Sequence, residues 1–241
     1  MTPRPHATTR RAAMATLMFA GASLITLPGC DPRTMLYFLQ PFDPTIPAPG
    51  PSLSGKKVVV LTHVQPGAGE TYSDLSRDLT REFSSALRKN AKKIHLVEND
   101  KVSAWMEAHP SWTDATEAGK DFEADVAIML DVATFQACDP KSPDLMEGTS
   151  SIHIHVWEFG HPKDAKGREE KKEPKEWDQR YEETADTTFP TRGPVPRDTG
   201  VSESAFKLKF LKLVANELSW HFVEHAPGDD IQDVKFNNNV K

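Results

Sequence analysis

A chain of 241 residues, of which 38% are hydrophobic and 27% charged, has the length of one folded domain with terminal extensions. Its 35 Asp and Glu residues outnumber its 29 Lys and Arg residues, which gives a formal net charge of −6 at pH 7. This acidic balance argues against a nucleic acid as a partner, because binding to phosphates needs clustered Lys and Arg side chains.

The amino-terminal segment has its basic and apolar parts in the order that is typical of a secretory leader. Arg4, Arg10 and Arg11 form a basic start, and residues 12–27 are apolar over a length too short for a comfortable membrane span. Residues 27–30, Leu-Pro-Gly-Cys, then place a small residue directly before Cys30. This order resembles the lipobox of bacterial lipoproteins. The resemblance implies that Cys30 receives a diacylglyceryl group, that the chain is cut before it, and that the new amine is acylated by a fatty acid such as palmitate.

An ordinary secretory signal cut nearby and an uncleaved anchor are the alternative interpretations of this segment. Under the lipoprotein interpretation, residues 1–29 are a signal peptide and residues 30–54 are a proline-rich tether that begins at the lipidated cysteine. Residues 55–228 are one globular domain, and residues 229–241 are a polar tail. Because lipid would occupy Cys30, Cys138 has no partner for an internal disulfide.

Removal of the leader changes the charge that the mature chain presents to a membrane. It leaves 26 basic against 35 acidic residues, a net charge of −9. No basic patch therefore assists attachment to anionic lipid, and the acyl chains must supply it.

The first half of the domain alternates predicted strands and helices. Residues 58–61 form a continuous β-branched run, residues 94–97 a second short strand, and residues 126–133 the longest apolar run of the mature chain. A helix is expected to begin at Thr71 or Ser73, because apolar residues then recur at helical spacing. The apolar face of this helix consists of Leu75, Leu79, Phe83, Ala86 and Leu87.

Two more helices are predicted before the long apolar strand. Asn99 or Asp100 is expected to cap a helix that stops before Pro110. Its apolar face consists of Val102, Trp105 and Met106. Residues 114–120 form a third, shorter helix that leads into the strand at 126–133.

From residue 151 the apolar pattern changes to a period of two, which is typical of a strand with two different faces. One face is expected to carry Ile152, Ile154, Val156 and Phe159, and the other to carry Ser151, His153, His155 and Trp157. The charged residues 163–175 are interpreted as a mobile hairpin tip that leads to a strand at 177–184.

The chain closes with a loop at 189–200 and a long helix. Ser202 is expected to cap this helix, which runs to about His225 and stops before the Pro-Gly pair at 227–228. Its apolar face consists of Phe206, Phe210, Leu211, Leu213, Val214, Leu218 and Phe222. The order of elements predicts an α/β (α+β) sandwich, with a mixed, largely five-stranded sheet and three to four helices packed on it.

Residues 56–225 resemble one group of envelope domains. The pattern consists of the strand at 58–61, the helix with Leu75, Leu79 and Phe83, the strand and acidic cap at 94–100, and the phrase Phe-Glu-Ala-Asp-Val at 122–126. It resembles the amino-terminal domain of TolB, the penicillin-binding-protein activator lipoproteins and the curli-secretion lipoprotein. The resemblance implies a non-catalytic domain that binds other envelope proteins. The secretion-pore subgroup inserts amphipathic hairpins, and the hairpin tip at 163–175 is too charged for that role.

One motif points to metal chemistry instead. Residues 221–225 fit H-x-x-E-H, the zinc motif of the inverted metallopeptidases, in which two histidines four residues apart on a helix share Zn²⁺ and the Glu is a general base. The candidate ligands are His221 and His225 with Glu217 one turn earlier, and Glu224 is the base. Only 16 residues follow His225, so the family's distant third ligand is missing. Packed or helix-capping histidines are the alternative interpretation.

A second set of residues points to a surface for a protein partner. Alternation places His153 and His155 on one strand face beside Trp157, and Trp177 and Tyr181 belong to the next strand. Aromatic side chains of this kind are common in protein interfaces, although they also pack under helices. Because imidazoles titrate near neutral pH, such a face is sensitive to pH. Half of a metal site is the alternative interpretation.

The acidic residues Asp125, Asp131 and Asp139 are interpreted as caps at strand ends and turns, because no second carboxylate is spaced for paired acid and base catalysis. The leading hypothesis is a lipid-anchored protein of the cell envelope that faces the periplasm, needs no cofactor and acts as a non-catalytic protein-binding or scaffold module. A zinc-dependent hydrolase using residues 221–225 is the alternative. The sequence leaves the oligomeric state and the identity of the partner open.

Overall fold

The computed structural model describes residues 45–68, 72, 74–137, 142, 144–161, 174–197 and 200–227. Several predictions fall outside these residues and stay predictions: the signal peptide, the lipidation of Cys30, the tether up to residue 44, the turn at Asp139, the connector at 162–173, and the tail. No helix in the described part of the chain is long and apolar enough to cross a membrane.

A five-stranded mixed sheet organises the domain. The strands in chain order are β1 (Lys57–Val64), β2 (His95–Leu96), β3 (Val126–Gln136), β4 (Leu145–Met146), β5 (Gly148–Gly160), β6 (Glu176–Phe189) and β7 (Val195–Pro196). The main sheet has the order β2-β1-β3-β5-β6, with β1 parallel to β2 and β3 and the other pairs antiparallel. The predicted mixed five-stranded sheet is confirmed. β4 and β7 form a separate two-stranded ribbon within segments predicted to be loops.

Four helices pack on this sheet, which agrees with the predicted number. They are α1 (Leu75–Asn90), α2 (Asn99–Ala108), α3 (Ala115–Asp121) and α4 (Glu203–Trp220). The larger core lies between α1, α4 and one face of the sheet, where Phe83 and Phe210 are fully buried. The alternating residues Ile152, Ile154 and Val156 of β5 face this core and are 0% exposed, as their spacing predicts.

The second face of the sheet is only partly covered. α2 and α3 pack over β1 and β3, where Val59, Leu61 and Ala127 join Val102 and Trp105 in a smaller core. No helix of the described residues lies over most of β5 and β6 on this side, and side chains such as Glu182 and Thr184 are exposed there. The four described helices therefore cover both faces at one half of the sheet and a single face at the other half.

Two helix starts differ from the sequence expectation. α1 has Asp74 at its N-cap position, and the predicted caps Thr71 and Ser73 lie outside the described residues. α2 starts one residue earlier than predicted, because Glu98 takes the extended N-cap conformation and its carbonyl accepts from the amide of Val102 at 3.2 Å. Neither N-cap side chain makes a capping hydrogen bond.

The other two starts follow their capping chemistry. The side chain of Asp114 accepts a 2.8 Å hydrogen bond from the amide of Thr116 at the start of α3. Ser202 accepts a 3.2 Å hydrogen bond from the amide of Ala205 at the start of α4, which confirms the predicted cap. Short polar side chains at these positions satisfy amides that have no partner within the helix.

The end of α4 corrects the predicted helix length. The helix ends at Trp220 with His221 at the C-cap position, not near His225. The amide of Gly50 donates to the carbonyl oxygen of His221 at 2.8 Å, and Ile46 and His225 form an antiparallel bridge. The segment at 46–50 therefore binds the backbone that a longer helix would have used, and it draws residues 222–225 away from the helix axis.

The predicted inward orientation of Phe159 is wrong. Its side chain is 42% exposed, and its ring centroid lies 5.5 Å from that of Trp177. Alternation puts Phe159 on the same face as Trp157, opposite Val156. A register shift in the β5–β6 ladder follows directly after Val156.

Candidate functional site

The uncovered part of the second sheet face carries a cluster of polar and titratable side chains. The strand register places His63 of β1 opposite Asp131 of β3, Asp131 opposite His153 of β5, and His153 opposite Thr184 of β6. We call this surface the histidine face, and it consists of His63, Asp131, Ser151, His153, His155, Glu182, Thr184 and Asp186. It crosses four neighbouring strands, and three of its side chains are carboxylates.

Asp131 is at the centre of the best-connected part of this surface. One of its carboxylate oxygens lies 2.7 Å from Nδ1 of His63, and the other accepts a 2.8 Å hydrogen bond from Nε2 of Gln65. The ring of His63 meets the ring of Trp112 edge-on, with centroids 6.0 Å apart. These contacts hold Asp131 and His63 in defined positions, although His63 is half exposed.

The remaining polar groups of the histidine face are paired across β5 and β6. Nδ1 of His153 lies 2.8 Å from Oγ1 of Thr184, and the hydroxyl of Ser151 donates to Asp186 at 2.6 Å. Nδ1 of His155 lies 3.8 Å from a carboxylate oxygen of Glu182, close enough for an ion pair when the imidazole is protonated. The face is therefore ordered by its own hydrogen bonds.

The environment of Asp131 stabilises its charged form. Burial alone raises its pKa, but the hydrogen bonds from His63 and Gln65 and the nearby charges of His63 and His153 outweigh this effect, so the pKa of Asp131 lies below that of an ordinary aspartate. A carboxylate with a lowered pKa is a weak base at neutral pH. The arrangement suits recognition through fixed hydrogen bonds better than proton transfer.

Replacing Asp131 by asparagine is expected to lower the free energy of unfolding at pH 7 by about 1–2 kcal/mol, because charge-assisted hydrogen bonds are lost. The folded state lowers the pKa of Asp131, so its contribution is present above the pKa of an unfolded aspartate, about 3.9. The contribution is lost as the pH falls through the lower pKa of the folded state. Urea titrations from pH 7 to pH 3 measure this difference.

Asp144→Asn is the matched control for this experiment, because Asp144 is exposed. We expect the control to change the free energy of unfolding by less than about 0.5 kcal/mol at every pH. A constant difference between the Asp131→Asn variant and the wild type from pH 7 to pH 3 would contradict the assignment.

The two predicted tryptophans of the partner surface are less exposed than expected. Trp157 and Trp177 are half-buried and pack on the smaller core beside α3. A Cβ atom added to Gly119 of α3 would lie 2.5 Å from the ring of Trp177, so this glycine permits the close contact. These tryptophans border the histidine face and do not stand out from it.

Tyr181 does not share a face with His153 and His155. It packs against the larger core on the opposite side of the sheet, and its hydroxyl lies 2.7 Å from Nδ1 of His221. Burial and the neighbouring charge of Glu183 raise the pKa of Tyr181. The predicted grouping of these five residues on one surface is therefore incorrect for Tyr181.

The proposed zinc motif does not lie on one helix face. His221 ends α4, whereas His225 lies in the bridge to Ile46 and stacks on Trp220 with ring centroids 4.6 Å apart. Within the described residues, no group of three or more His, Cys, Asp or Glu side chains is placed to hold a metal ion. The helical geometry that the inverted metallopeptidase motif requires is not formed here, and Glu217 instead accepts a hydrogen bond from Thr187.

His221 is a packed histidine with a specific hydrogen bond. Burial and the neighbouring His225 lower its pKa, while Glu183 acts in the opposite direction. The imidazole is therefore neutral at pH 7, and its Nδ1 shares a 2.7 Å hydrogen bond with the hydroxyl of Tyr181. This outcome matches the alternative interpretation of the motif, in which the histidines pack at a helix end.

His63 of the histidine face was not identified from the sequence, and neither were Gln65 and Trp112, which contact Asp131 and His63. One sequence feature could have placed His63 on this surface. It follows the buried run at 58–61 by two residues, and alternation puts it on the same strand face as Val59 and Leu61. The interpretation of Asp131 as a cap at a strand end was incorrect, because it lies inside β3. Asp125 does act at a strand end. Its carboxylate accepts a 2.8 Å hydrogen bond from the amide of Lys57, the first residue of β1.

Comparison with known proteins finds only distant similarity to solved structures. No family model matches the sequence, and neither does any curated protein. Among solved structures, the PelC dodecamer from Paraburkholderia phytofirmans is 10% identical, with a TM-score of 0.35 over 72% of this chain and 94% of that chain.

Two other similar structures are named as lipoproteins. Lipoprotein GNA1162 from Neisseria meningitidis is 9% identical, with a TM-score of 0.38 over 70% of this chain and 99% of that one. A minor lipoprotein from Acinetobacter baumannii is 15% identical, with a TM-score of 0.27 over 73% of this chain and 99% of that one. Likeness at this level carries no argument about function.

Proposed function

We propose that this chain is a lipid-anchored protein of the cell envelope whose domain faces the periplasm and binds another envelope protein through the histidine face. One observation carries the proposal. Among the residues that the structure describes, no helix covers one side of half of the sheet, and the surface there is a hydrogen-bonded set of imidazoles, hydroxyls and carboxylates.

The charge of the histidine face indicates the kind of partner. The face contains three carboxylates, those of Asp131, Glu182 and Asp186. None of the eight residues that define it is Lys or Arg. Complementary potentials favour a partner surface that is rich in Lys and Arg.

The same contacts support the proposal of a non-catalytic role. Asp131 already accepts hydrogen bonds from two side chains, and its pKa is lowered rather than raised. A general base needs a pKa near the working pH, which this carboxylate does not have. The lipobox-like residues 27–30 and the proline-rich tether support the envelope location of the domain.

Site-specific crosslinking tests the proposed binding surface in the full, membrane-attached chain. A photoreactive phenylalanine derivative replaces His153 in one variant and the exposed Arg88, at the end of α1, in the control. We expect irradiation of intact cells to give a discrete crosslinked product from position 153 and none from position 88. The captured protein is then purified and its affinity for the full chain is measured.

The His153→Ala/His155→Ala variant is expected to weaken that affinity by about tenfold, which corresponds to a combined loss of about 1.4 kcal/mol from the two side chains. Arg88→Ala should leave the affinity unchanged. Equal crosslinking from positions 153 and 88, or an unchanged affinity of the double variant, would reject the histidine face as the binding surface.

A further inference from the structure

β6 forms one outer edge of the sheet, and in the described residues no strand lies beside it on its free side. This edge is 14 residues long, whereas the opposite edge strand, β2, has 2 residues. A long edge presents backbone N–H and C=O groups in a row, and another extended chain can pair with them. β6 is therefore a template for a further strand.

A cavity of about 610 Å³ lies along this edge. Its walls are residues 181 and 183–187 of β6, the end of α4, and the segment at 46–49. We call it the edge groove. Its apolar surface comes mainly from Ile46, Pro47, Pro49 and Trp220, and its volume lies in the range of about 300–1,000 Å³ that is usual for ligand sites.

The edge groove is acidic. Glu183 and Glu217 line it together with Asp186, whose carboxylate binds Ser151 on the histidine face, and no Lys or Arg among the described residues lines it. Burial lowers the pKa of His221, which also lines the groove, so this imidazole adds no positive charge at neutral pH. Apolar walls beside carboxylates suit an occupant that has an apolar group next to a cationic one.

A second copy of β6 is a poor occupant of this edge. The strand carries the acidic residues Glu176, Asp178, Glu182, Glu183 and Asp186 and a single basic residue, Arg180. Two such strands side by side would place like charges opposite each other, which destabilises strand pairing. The charge of β6 therefore selects a basic segment and disfavours self-association at this edge.

We propose that the edge groove binds an extended segment of another protein, in which an apolar residue and a Lys or Arg stand two residues apart, and that this segment pairs with β6 as an additional strand. Residues two apart share one face of a strand, so both side chains enter the groove. The apolar group packs on Trp220 and Ile46, and the cation lies near Glu183. Backbone pairing gives affinity, and the groove gives specificity.

This site shares Thr184 and Asp186 of β6 with the histidine face, but Glu183, Trp220 and the segment at 46–49 belong to the edge groove alone. Glu183 and Tyr181 lie on the α4 side of β6, whereas Glu182 and Thr184 point to the opposite side of the sheet. Strand pairing and side-chain insertion can therefore be tested with variants that leave the histidine face unchanged.

Three blocked octapeptides serve as probes of the full chain in lipid nanodiscs. The first has threonine at every second position, with valine and lysine alternating between the threonines. The second replaces lysine by glutamate, and the third is the lysine peptide with every backbone amide N-methylated, which removes the hydrogen-bond donors on both edges of the strand. Calorimetric titration at physiological salt, where the Debye length is about 8 Å, limits the effect of remote charges.

We expect the lysine peptide to bind at least about tenfold more tightly than either control peptide. Glu183→Lys should weaken its binding by about tenfold, whereas the same charge change at the neighbouring Glu182→Lys should weaken it by at most about threefold. Circular dichroism confirms that both variants are folded.

Each alternative occupant gives a different result. Equal binding of the lysine peptide and its N-methylated form would reject strand pairing and indicate a site for small organic cations. Equal effects of the two Lys variants would reject the edge groove as the binding site. Loss of binding in the His153→Ala/His155→Ala variant, with Glu183→Lys unaffected, would assign the peptide to the histidine face instead.

Discussion

Replacing Phe210 by alanine is expected to lower the free energy of unfolding by about 3–5 kcal/mol, the usual cost of removing a buried phenyl ring. Phe210 is 0% exposed in α4, and its ring centroid lies 4.9 Å from that of Phe135 at the end of β3. A Cβ atom added to Gly148 would lie 2.6 Å from the Phe210 ring, so the chain is closely packed around it. The alanine variant therefore keeps most of the cavity left by the missing ring, because the surrounding atoms have little room to move into it.

Urea unfolding of the full chain, followed by tryptophan fluorescence, measures this loss. Leu208→Ala is the matched control, because Leu208 lies in the same helix but is 44% exposed. Leucine and alanine have similar helix propensities, so the control should change the free energy of unfolding by less than about 0.5 kcal/mol. Similar losses in both variants would show that Phe210 does not join α4 to the sheet as described.

Replacing Cys30 by serine is expected to move the protein from the membrane fraction to the soluble fraction of the envelope. Serine has no thiol to accept the diacylglyceryl group that the lipobox resemblance implies. Each buried methylene contributes about 0.8 kcal/mol, and two or more acyl chains are needed for stable attachment. The mature domain is acidic, so no basic patch replaces the lost lipid.

Fractionation of cells and mass spectrometry of the mature amino-terminal peptide measure this change. Cys138→Ser is the control, because it removes the other cysteine of the chain and should leave the protein acylated and membrane-bound. An unmodified wild-type chain that still begins upstream of Cys30 would overturn the lipoprotein proposal.

Local patterns were enough to identify most of the framework. The helical spacing of Leu75, Leu79 and Phe83 predicted α1, and all three side chains are buried. The alternation of Ile152 and Ile154 predicted which side of β5 faces the larger core. These features depend on neighbours within one element, where spacing along the chain determines which side chains share a face.

The histidine face was only partly predictable for the same reason. Alternation alone places His153 and His155 together on β5. His63 reaches Asp131 across 68 residues of chain, and only the register of β1 beside β3 brings them together. Spacing within a strand contains no information about that register, so His63 was not identified and Asp131 was assigned a capping role.

Tertiary contacts, and not periodicity, decided where α4 ends. The pattern of residues 206–222 predicted the buried face correctly, because burial depends on local periodicity. The segment at 46–50, about 170 residues earlier in the chain, pairs with His221 and His225 and ends the helix at Trp220.

The sequence by itself thus determined the class of fold, the core faces, the acidic charge and the candidate lipid-attachment cysteine, since each depends on composition or local spacing. The tertiary structure alone decided which histidines share a surface, that Tyr181 faces the opposite core, and that residues 221–225 do not form one helical face. These depend on strand register and on contacts between distant segments, which local spacing does not encode.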